Sequence, residues 1–180
     1  GWSADSTSFV HAIHAGNKRS VAFNWHATAP GVTFQEVRYP GVLANCESCH
    51  LPGTYDFSAS TSASAMANRP YRTVVSGTLA SSGTTYAYSP YITMDLNYGT
   101  GFAFNAATGV TTAAAATTLT ISPTMAQCVA CHDTQVARNH MTGNGGSFYE
   151  ARSTALNKPE ECMICHGPGR VADIKVMHTK

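Results

Sequence analysis

The pentapeptide Cys128-Val129-Ala130-Cys131-His132 is the second of three C-x-x-C-H motifs in this chain, and these motifs decide the fold. The first motif is Cys46-Glu47-Ser48-Cys49-His50 and the third is Cys162-Met163-Ile164-Cys165-His166, so all six cysteines of the chain lie in the pattern. Because the chain has 8 histidines in 180 residues, three such histidines would follow three cysteine pairs by chance roughly once in ten thousand sequences. The pattern therefore indicates one chemistry that is used three times.

The spacing of the motifs suits covalent attachment of haem. Thiols three residues apart lie along one side of a helical turn, where they reach the two vinyl groups on one edge of a porphyrin. The next residue lies beneath the ring, and its imidazole binds the iron as the proximal axial ligand. We therefore predict three covalently attached haem c groups, bound by the thiols of Cys46, Cys49, Cys128, Cys131, Cys162 and Cys165 and by the proximal imidazoles of His50, His132 and His166.

Paired cysteines also occur in disulfide frameworks, zinc sites and redox-active dithiols. Disulfides do not require a histidine after every second cysteine. A four-thiolate zinc site uses two C-x-x-C pairs, which leaves the third pair and the three histidines unexplained. A thioredoxin-like motif occurs once in a strand-helix context rather than three times. Covalent haem is the interpretation that accounts for every position of the pattern.

Composition narrows the class of protein further. Charged residues make up 12% of the chain, hydrophobic residues 43%, and the formal net charge is +1. This composition excludes a disordered polymer, and it gives no basic surface for nucleic acid. The longest apolar run, residues 113–116, is far shorter than the roughly 20 residues of a membrane span, so we predict no transmembrane segment. Residues 1–3 carry no leader features, and we expect this start to result from processing or from cleavage of a longer chain.

The second axial ligand of each iron separates electron transfer from bond chemistry, because an open face binds small substrates and a closed face does not. Five histidines lie outside the motifs, more than the three distal positions require, so we predict bis-histidine haems of low potential. His11 and His14 lie one helical turn apart and would bind different haems. The candidate distal ligands are His11, His14, His140 at the end of a helix that starts near Cys128, and His178 in the C-terminal tail. His26 fits a non-ligand better.

The fold class that we predict is α+β with little regular structure. Residues 1–54 form an N-terminal haem segment with a ligand helix and the first motif. Residues 55–124 form a β insertion rich in Thr, Ser and Ala, with strands at 71–79, 81–86 and 117–121 and a hairpin at 105–109. Residues 125–180 carry the other two motifs on short helices, and the two haem segments form one haem core. We expect Thr124 and Gln127 to form a capping box at the second motif, residues 157–160 to start the third-motif helix, and Gly167 to end it.

Together these residues resemble the OmcA/MtrC family of outer-membrane multihaem cytochromes. The similarity covers both ends of the chain and rests on His11-Ala12-Ile13-His14-Ala15-Gly16, Tyr39-Pro40-Gly41, Cys131-His132-Asp133, His140-Met141, Gly145-Gly146, Cys165-His166-Gly167-Pro168-Gly169-Arg170 and His178. Residues 56–123 look like a variable insertion. Family members carry pentahaem modules, whereas this chain has only the last three haems of one module. The resemblance implies that His11, His14, His140 and His178 occupy positions of distal ligands.

The resemblance also implies electron transfer at the cell surface, after export through the periplasm, to redox partner cytochromes and extracellular acceptors. We therefore predict an electron-transfer protein rather than an enzyme. Two alternatives stay open: a nitrite or hydroxylamine reductase with an open haem and a basic pocket, and the C-terminal piece of a larger outer-membrane cytochrome. Four candidate distal histidines exceed three irons, so one either stays idle or binds a haem of a neighbouring subunit, which would build a conductive filament.

Overall fold

The computed structural model describes residues 6–25, 29, 31–55, 72–73, 102–105, 107, 110–113 and 119–179. These residues form short helices and short strands, which makes the protein α+β, as predicted. The helices are α1 (Ser6–His14), α2 (Pro123–Cys128), α3 (Gln135–Gly143), α4 (Arg152–Ala155), α5 (Met163–His166) and α6 (Ile174–His178), with 3₁₀ turns at Gly16–Lys18 and Cys46–Ser48. The strands are β1 (Arg72–Thr73), β2 (Phe102–Asn105), β3 (Val110–Ala113), β4 (Leu119–Ile121) and β5 (Glu150–Ala151).

The strands form two small antiparallel sheets. In one sheet β4 lies between β1 and β5, with Arg72 opposite Ile121 and Thr120 opposite Glu150. In the other, β2 pairs with β3 and Asn105 lies opposite Val110, which confirms the predicted hairpin at 105–109. The strands predicted at 71–79 and 81–86 lie outside the described residues, apart from the two residues of β1. The division into segments 1–54, 55–124 and 125–180 therefore stays a prediction.

Helix α2 does not begin with the predicted capping box. Its N-cap is Ser122, and Pro123 occupies the first helical position, where a missing N–H costs nothing. The Gln127 side chain donates to the Pro123 carbonyl at 3.2 Å instead of turning back to Thr124. The N–H groups of Thr124 and Met125 are bound by a carboxylate from far along the chain, which no local sequence pattern could indicate.

The haem motifs also lie differently on the helices than predicted. Helix α2 ends at Cys128, and residues 128–132 form a turn closed by the His132 N–H on the Cys128 carbonyl at 2.8 Å. His140 lies on the separate helix α3, whose N-cap Thr134 accepts from the Ala137 N–H at 3.2 Å. The third-motif helix α5 starts without a side-chain cap from residues 157–160, and it ends at His166 before Gly167, as predicted.

The described core is small and centres on α2. Met125 and Ala126 are fully buried, and Ile121, Val129 and Met141 complete the cluster. Gly146 allows this packing, because a Cβ there would lie 2.7 Å from the Met141 carbonyl oxygen and 3.0 Å from the Met125 sulfur. Helix α1 also packs against α2. Within the described residues, no helix is long and apolar enough to cross a membrane.

Candidate haem-binding sites

Each motif histidine faces one histidine from outside the motifs. The ring centroids of His50 and His11 are 5.9 Å apart, with an interplanar angle of 31°. The centroids of His132 and His178 are 6.0 Å apart at 69°. Those of His166 and His140 are also 6.0 Å apart, at 80°. These three ring pairs bring together six of the seven histidines predicted as ligands, and each pair joins one predicted proximal ligand to one predicted distal ligand.

The separation within the ring pairs fits an iron atom between them. A nitrogen ligand binds a first-row metal at about 2.0 Å, and the imidazole centroid lies about 1.1 Å behind that nitrogen, so opposite imidazoles on one iron have centroids about 6.2 Å apart. The observed separations of 5.9 and 6.0 Å differ from this value only slightly. The residues present therefore fit haem that is ligated on both faces.

Hydrogen bonds orient two of these imidazoles for metal binding. The Nδ1 of His166 lies 3.0 Å from the Ala172 carbonyl oxygen, and the Nδ1 of His178 lies 2.9 Å from the Ile174 carbonyl oxygen. A carbonyl only accepts, so Nδ1 carries the proton in both rings and Nε2 keeps its lone pair for a metal. This is the arrangement by which outer hydrogen bonds fix the tautomer and raise the basicity of a ligating histidine.

Helix α6 holds His178 through a capped N-terminus. The carboxylate of Asp173 accepts from the N–H groups of Lys175 at 2.9 Å and Val176 at 3.4 Å, and its other oxygen accepts from the Gly169 N–H at 2.7 Å. The Gly169 N–H lowers the pKa of this carboxyl most, burial opposes it, and the N–H groups of Val176 and Lys175 lower the pKa further. The cap thus fixes the start of a five-residue helix that could not form alone.

One cavity of about 470 Å³ contains two of the three ring pairs. Its wall includes His132, His178, His140 and His166 together with the thiols of Cys128, Cys162 and Cys165. The remaining wall is mostly apolar, with contributions from Met125, Ala137, Met141, Ala172, Ile174 and Met177. The second and third motifs therefore face a common apolar space, which is the setting that a macrocycle with covalent and axial attachment requires.

No disulfide joins the six cysteines in the structure. Burial raises the pKa of Cys128 to about 12, and nearby Cys162, Glu160 and Cys131 add to this rise. Burial also raises the pKa of Cys162 to about 11, with a further contribution from Glu160. A raised pKa suppresses the thiolate, which is the form that exchanges disulfides and binds metal ions. The Cys128 and Cys162 thiols therefore lie in apolar surroundings.

The first motif lies against the second motif and helix α6. The Cys131 sulfur is 4.0 Å from the His11 carbonyl oxygen. Burial raises the pKa of the Cys131 thiol, Arg19 opposes this rise, and Asp133 and Cys46 add to it. On the surface, the Lys175 ammonium of α6 lies 3.4 Å from the Glu47 carboxylate within the first motif. The chain thereby brings its N-terminal and C-terminal motif regions together.

His14 is the candidate ligand that does not face a motif histidine within the described residues. Its ring lies 5.3 Å from the ring of Tyr39, at an interplanar angle of 50°. Tyr39 in turn lies beside the first motif. A hydrogen bond with the Cys49 thiol raises the pKa of the tyrosine hydroxyl. His14 therefore lies beside the first motif rather than across from its histidine. His26 lies outside the described residues.

Sequence reasoning missed two charged contacts of the second motif. Arg19 forms an ion pair with Asp133, 3.3 Å between Nη2 and Oδ2, with side chains 3% and 1% exposed. Glu160 accepts from the Ser122 hydroxyl at 2.5 Å and from the N–H groups of Thr124 and Met125 at 2.8 and 2.9 Å. The position of Asp133 directly after His132 was a sequence signal for the ion pair. No pattern in the sequence around Glu160 indicated its contacts with Ser122, Thr124 and Met125.

A family model for outer membrane cytochromes, MtrC/MtrF-like, domains II/IV, matches residues 2–179. The chain belongs to this family. Membership confirms the resemblance to the OmcA/MtrC cytochromes, and it agrees with a location at the outer membrane or the extracellular surface. MtrC/MtrF-like proteins are multihaem cytochromes of electron transfer rather than conventional enzymes. No curated protein and no solved structure matches the chain.

Proposed function

We propose that this MtrC/MtrF-like chain carries three covalently bound haems with two imidazole ligands each and passes electrons between them without bond chemistry. Haem 1 would be bound by His50 and His11, haem 2 by His132 and His178, and haem 3 by His166 and His140. The observation that carries this proposal is the set of three ring pairs, each with room for one iron. The six motif thiols would hold the three macrocycles through thioether bonds.

The ring pairs favour a conduit over a reductase. A reductase of the nitrite or hydroxylamine type needs one iron with an open face and cationic groups around it. Every motif histidine here has an imidazole opposite it, and Arg19 is already paired with a buried carboxylate. When bound, the haem irons would supply one-electron exchange, while the imidazoles of this chain close both faces to substrates.

The contacts between motifs support a linear order with haem 2 in the middle. The wall shared by the second and third motifs would bring haems 2 and 3 into one cavity. The contact of the Cys131 thiol with the His11 carbonyl would bring the attachment edge of haem 2 next to the distal side of haem 1. Electrons would then enter at one terminal haem and leave at the other, towards a partner cytochrome or an extracellular acceptor.

The finer part of this proposal concerns assembly. His14 is the one predicted distal ligand that lies beside Tyr39 instead of a motif histidine, so it is available for a haem of another copy of the chain or of a preceding segment. Ligation between copies would build a filament. Size-exclusion chromatography and electron microscopy of the holoprotein test this: concentration-dependent polymers that His14→Ala abolishes support it, and a monomer at high concentration contradicts it.

Spectroscopy of the purified holoprotein tests the main proposal. The expected result is three haems per chain by pyridine haemochrome analysis, with a low-spin spectrum that carbon monoxide and cyanide leave unchanged. A high-spin component that binds carbon monoxide would favour the reductase instead. Fewer than three haems per chain would contradict the assignment of one haem to each motif.

A further inference from the structure

The second motif is braced by a buried ion pair that the proposed electron path does not use. The guanidinium of Arg19 and the carboxylate of Asp133 are 3.3 Å apart, and both side chains are almost completely buried. In such surroundings charges act over longer distances than in water, because the effective dielectric constant is low. A buried pair of this kind therefore exerts a field on any redox centre beside it.

Each charge of the pair is fully engaged with main-chain groups near the motif. Arg19 donates from Nη1 to the carbonyls of Val129 and Ala130, the two residues between the motif cysteines. Asp133 accepts from the N–H of Ser20 at 2.7 Å and from the N–H of Val21 at 2.9 Å. The segment that follows helix α1 is thereby joined to the loop that would carry haem 2.

The pair lies at the proximal side of the haem 2 site. Asp133 follows the ligand His132 directly, and Arg19 contacts the peptide groups between the two attachment thiols. Both charges therefore lie directly beside the loop that would hold haem 2.

We propose that Arg19 and Asp133 are positioning residues that set the reduction potential of haem 2 through opposed buried charges. This inference rests on the proposed function, since it requires haem 2 between His132 and His178. An anion near the iron stabilises the ferric state and lowers the potential, and a cation does the reverse. Without Arg19 the buried carboxylate is uncompensated and the potential of haem 2 falls, while without the Asp133 charge the uncompensated guanidinium raises it.

Potentiometric titration of the holoprotein, with optical and EPR detection, tests the inference on three variants. Arg19→Gln should lower one of the three midpoint potentials, and Asp133→Asn should raise the same one. The double variant, with two neutral amides, should return it close to the wild-type value. Lys18→Gln is the matched control, because it removes the same charge from an exposed position one residue away and should leave the three midpoints nearly unchanged.

The outcomes separate this inference from the proposed function. Fewer than three low-spin haems in the wild type would remove the proposed function itself. Three low-spin haems with midpoints that move in the same direction, or not at all, in the two single variants would overturn only the role of the pair. If Arg19→Gln does not fold, Asp133→Asn alone decides by the sign of its shift. Loss of haem 2 in both single variants would show that the pair acts only as a structural brace of the second motif, and this result would also overturn the inference.

Discussion

Glu160 joins two haem motifs through one side chain, and its removal gives a prediction whose size follows from the structure. Its carboxylate lies just before the third motif and accepts three hydrogen bonds at the start of α2, the helix that ends at Cys128 of the second motif. Glu160→Ala leaves three donors without their acceptor. Two of them belong to Ser122 and Met125, which are fully buried, and the third belongs to Thr124, which is 8% exposed.

In Glu160→Ala, the expected loss of unfolding free energy lies between the contribution of one helix cap and that of three independent hydrogen bonds. Replacing a capping group by alanine costs about 1 kcal/mol, and each hydrogen bond to a charged group contributes about 1.5–3 kcal/mol. The losses of the three bonds do not add, because the bonds share one carboxylate. Water can also enter from the partly exposed side of Glu160. We expect the free energy of unfolding to fall by about 3 kcal/mol, which lowers Tm by about 6–12 °C in a chain of this size.

Urea denaturation of the holoprotein, followed by far-UV circular dichroism, measures this loss. Glu160→Gln retains one acceptor oxygen and should lose about half as much as Glu160→Ala. Glu36→Ala is the control, because Glu36 is exposed and its replacement should change the free energy of unfolding by less than about 0.5 kcal/mol. A Glu160→Ala protein as stable as the Glu36→Ala control would refute the role of the carboxylate as the cap that connects the two motifs.

Four further variants address the ligands and their supports. His178→Ala should leave haem 2 covalently attached but high-spin by EPR, whereas His14→Ala should leave all three haems of a single chain low-spin; a high-spin haem in monomeric His14→Ala would mean that the ring pairs are misassigned. Because the folded-state pKa of Asp173 lies below the ordinary value of 3.8, its stabilisation of α6 is present above that pH and is lost as the pH falls through the lower folded value. An acid titration of the low-spin absorbance should therefore show loss of His178 ligation at low pH in the wild type and a weaker pH dependence in Asp173→Asn; identical titration curves would contradict this. Cys165→Ala should leave haem 3 on one thioether bond, so mass spectrometry of the intact protein should detect chains with two haems, and full retention of three in every chain would count against the weaker attachment.

Local spacing is enough to predict the proximal ligands and the attachment thiols, because C-x-x-C-H contains its whole chemistry within five residues. The distal ligands can be predicted from the sequence only as a set of candidates. The surplus of His11 and His14 could not be resolved from sequence, since both lie on one short helix. Tertiary contacts distinguish them: His11 faces His50, and His14 lies against Tyr39.

The capping box at the second motif was predicted wrongly for a physical reason. Thr124 and Gln127 have the residue types and spacing of a capping box, but a carboxylate from Glu160 satisfies the same N–H groups with a full charge. The burial of Arg19 was missed for a similar reason, because its partner Asp133 lies far along the chain. Local patterns identify groups that need partners, and they do not reveal partners supplied by another segment.

Anomalous diffraction at the iron absorption edge, from crystals of the holoprotein, tests the central claim most directly. The account predicts three iron peaks in each chain, one between His50 and His11, one between His132 and His178, and one between His166 and His140. An iron bound to His14 in place of one of these distal ligands within the same chain, or a ring pair without an iron between its members, would contradict it.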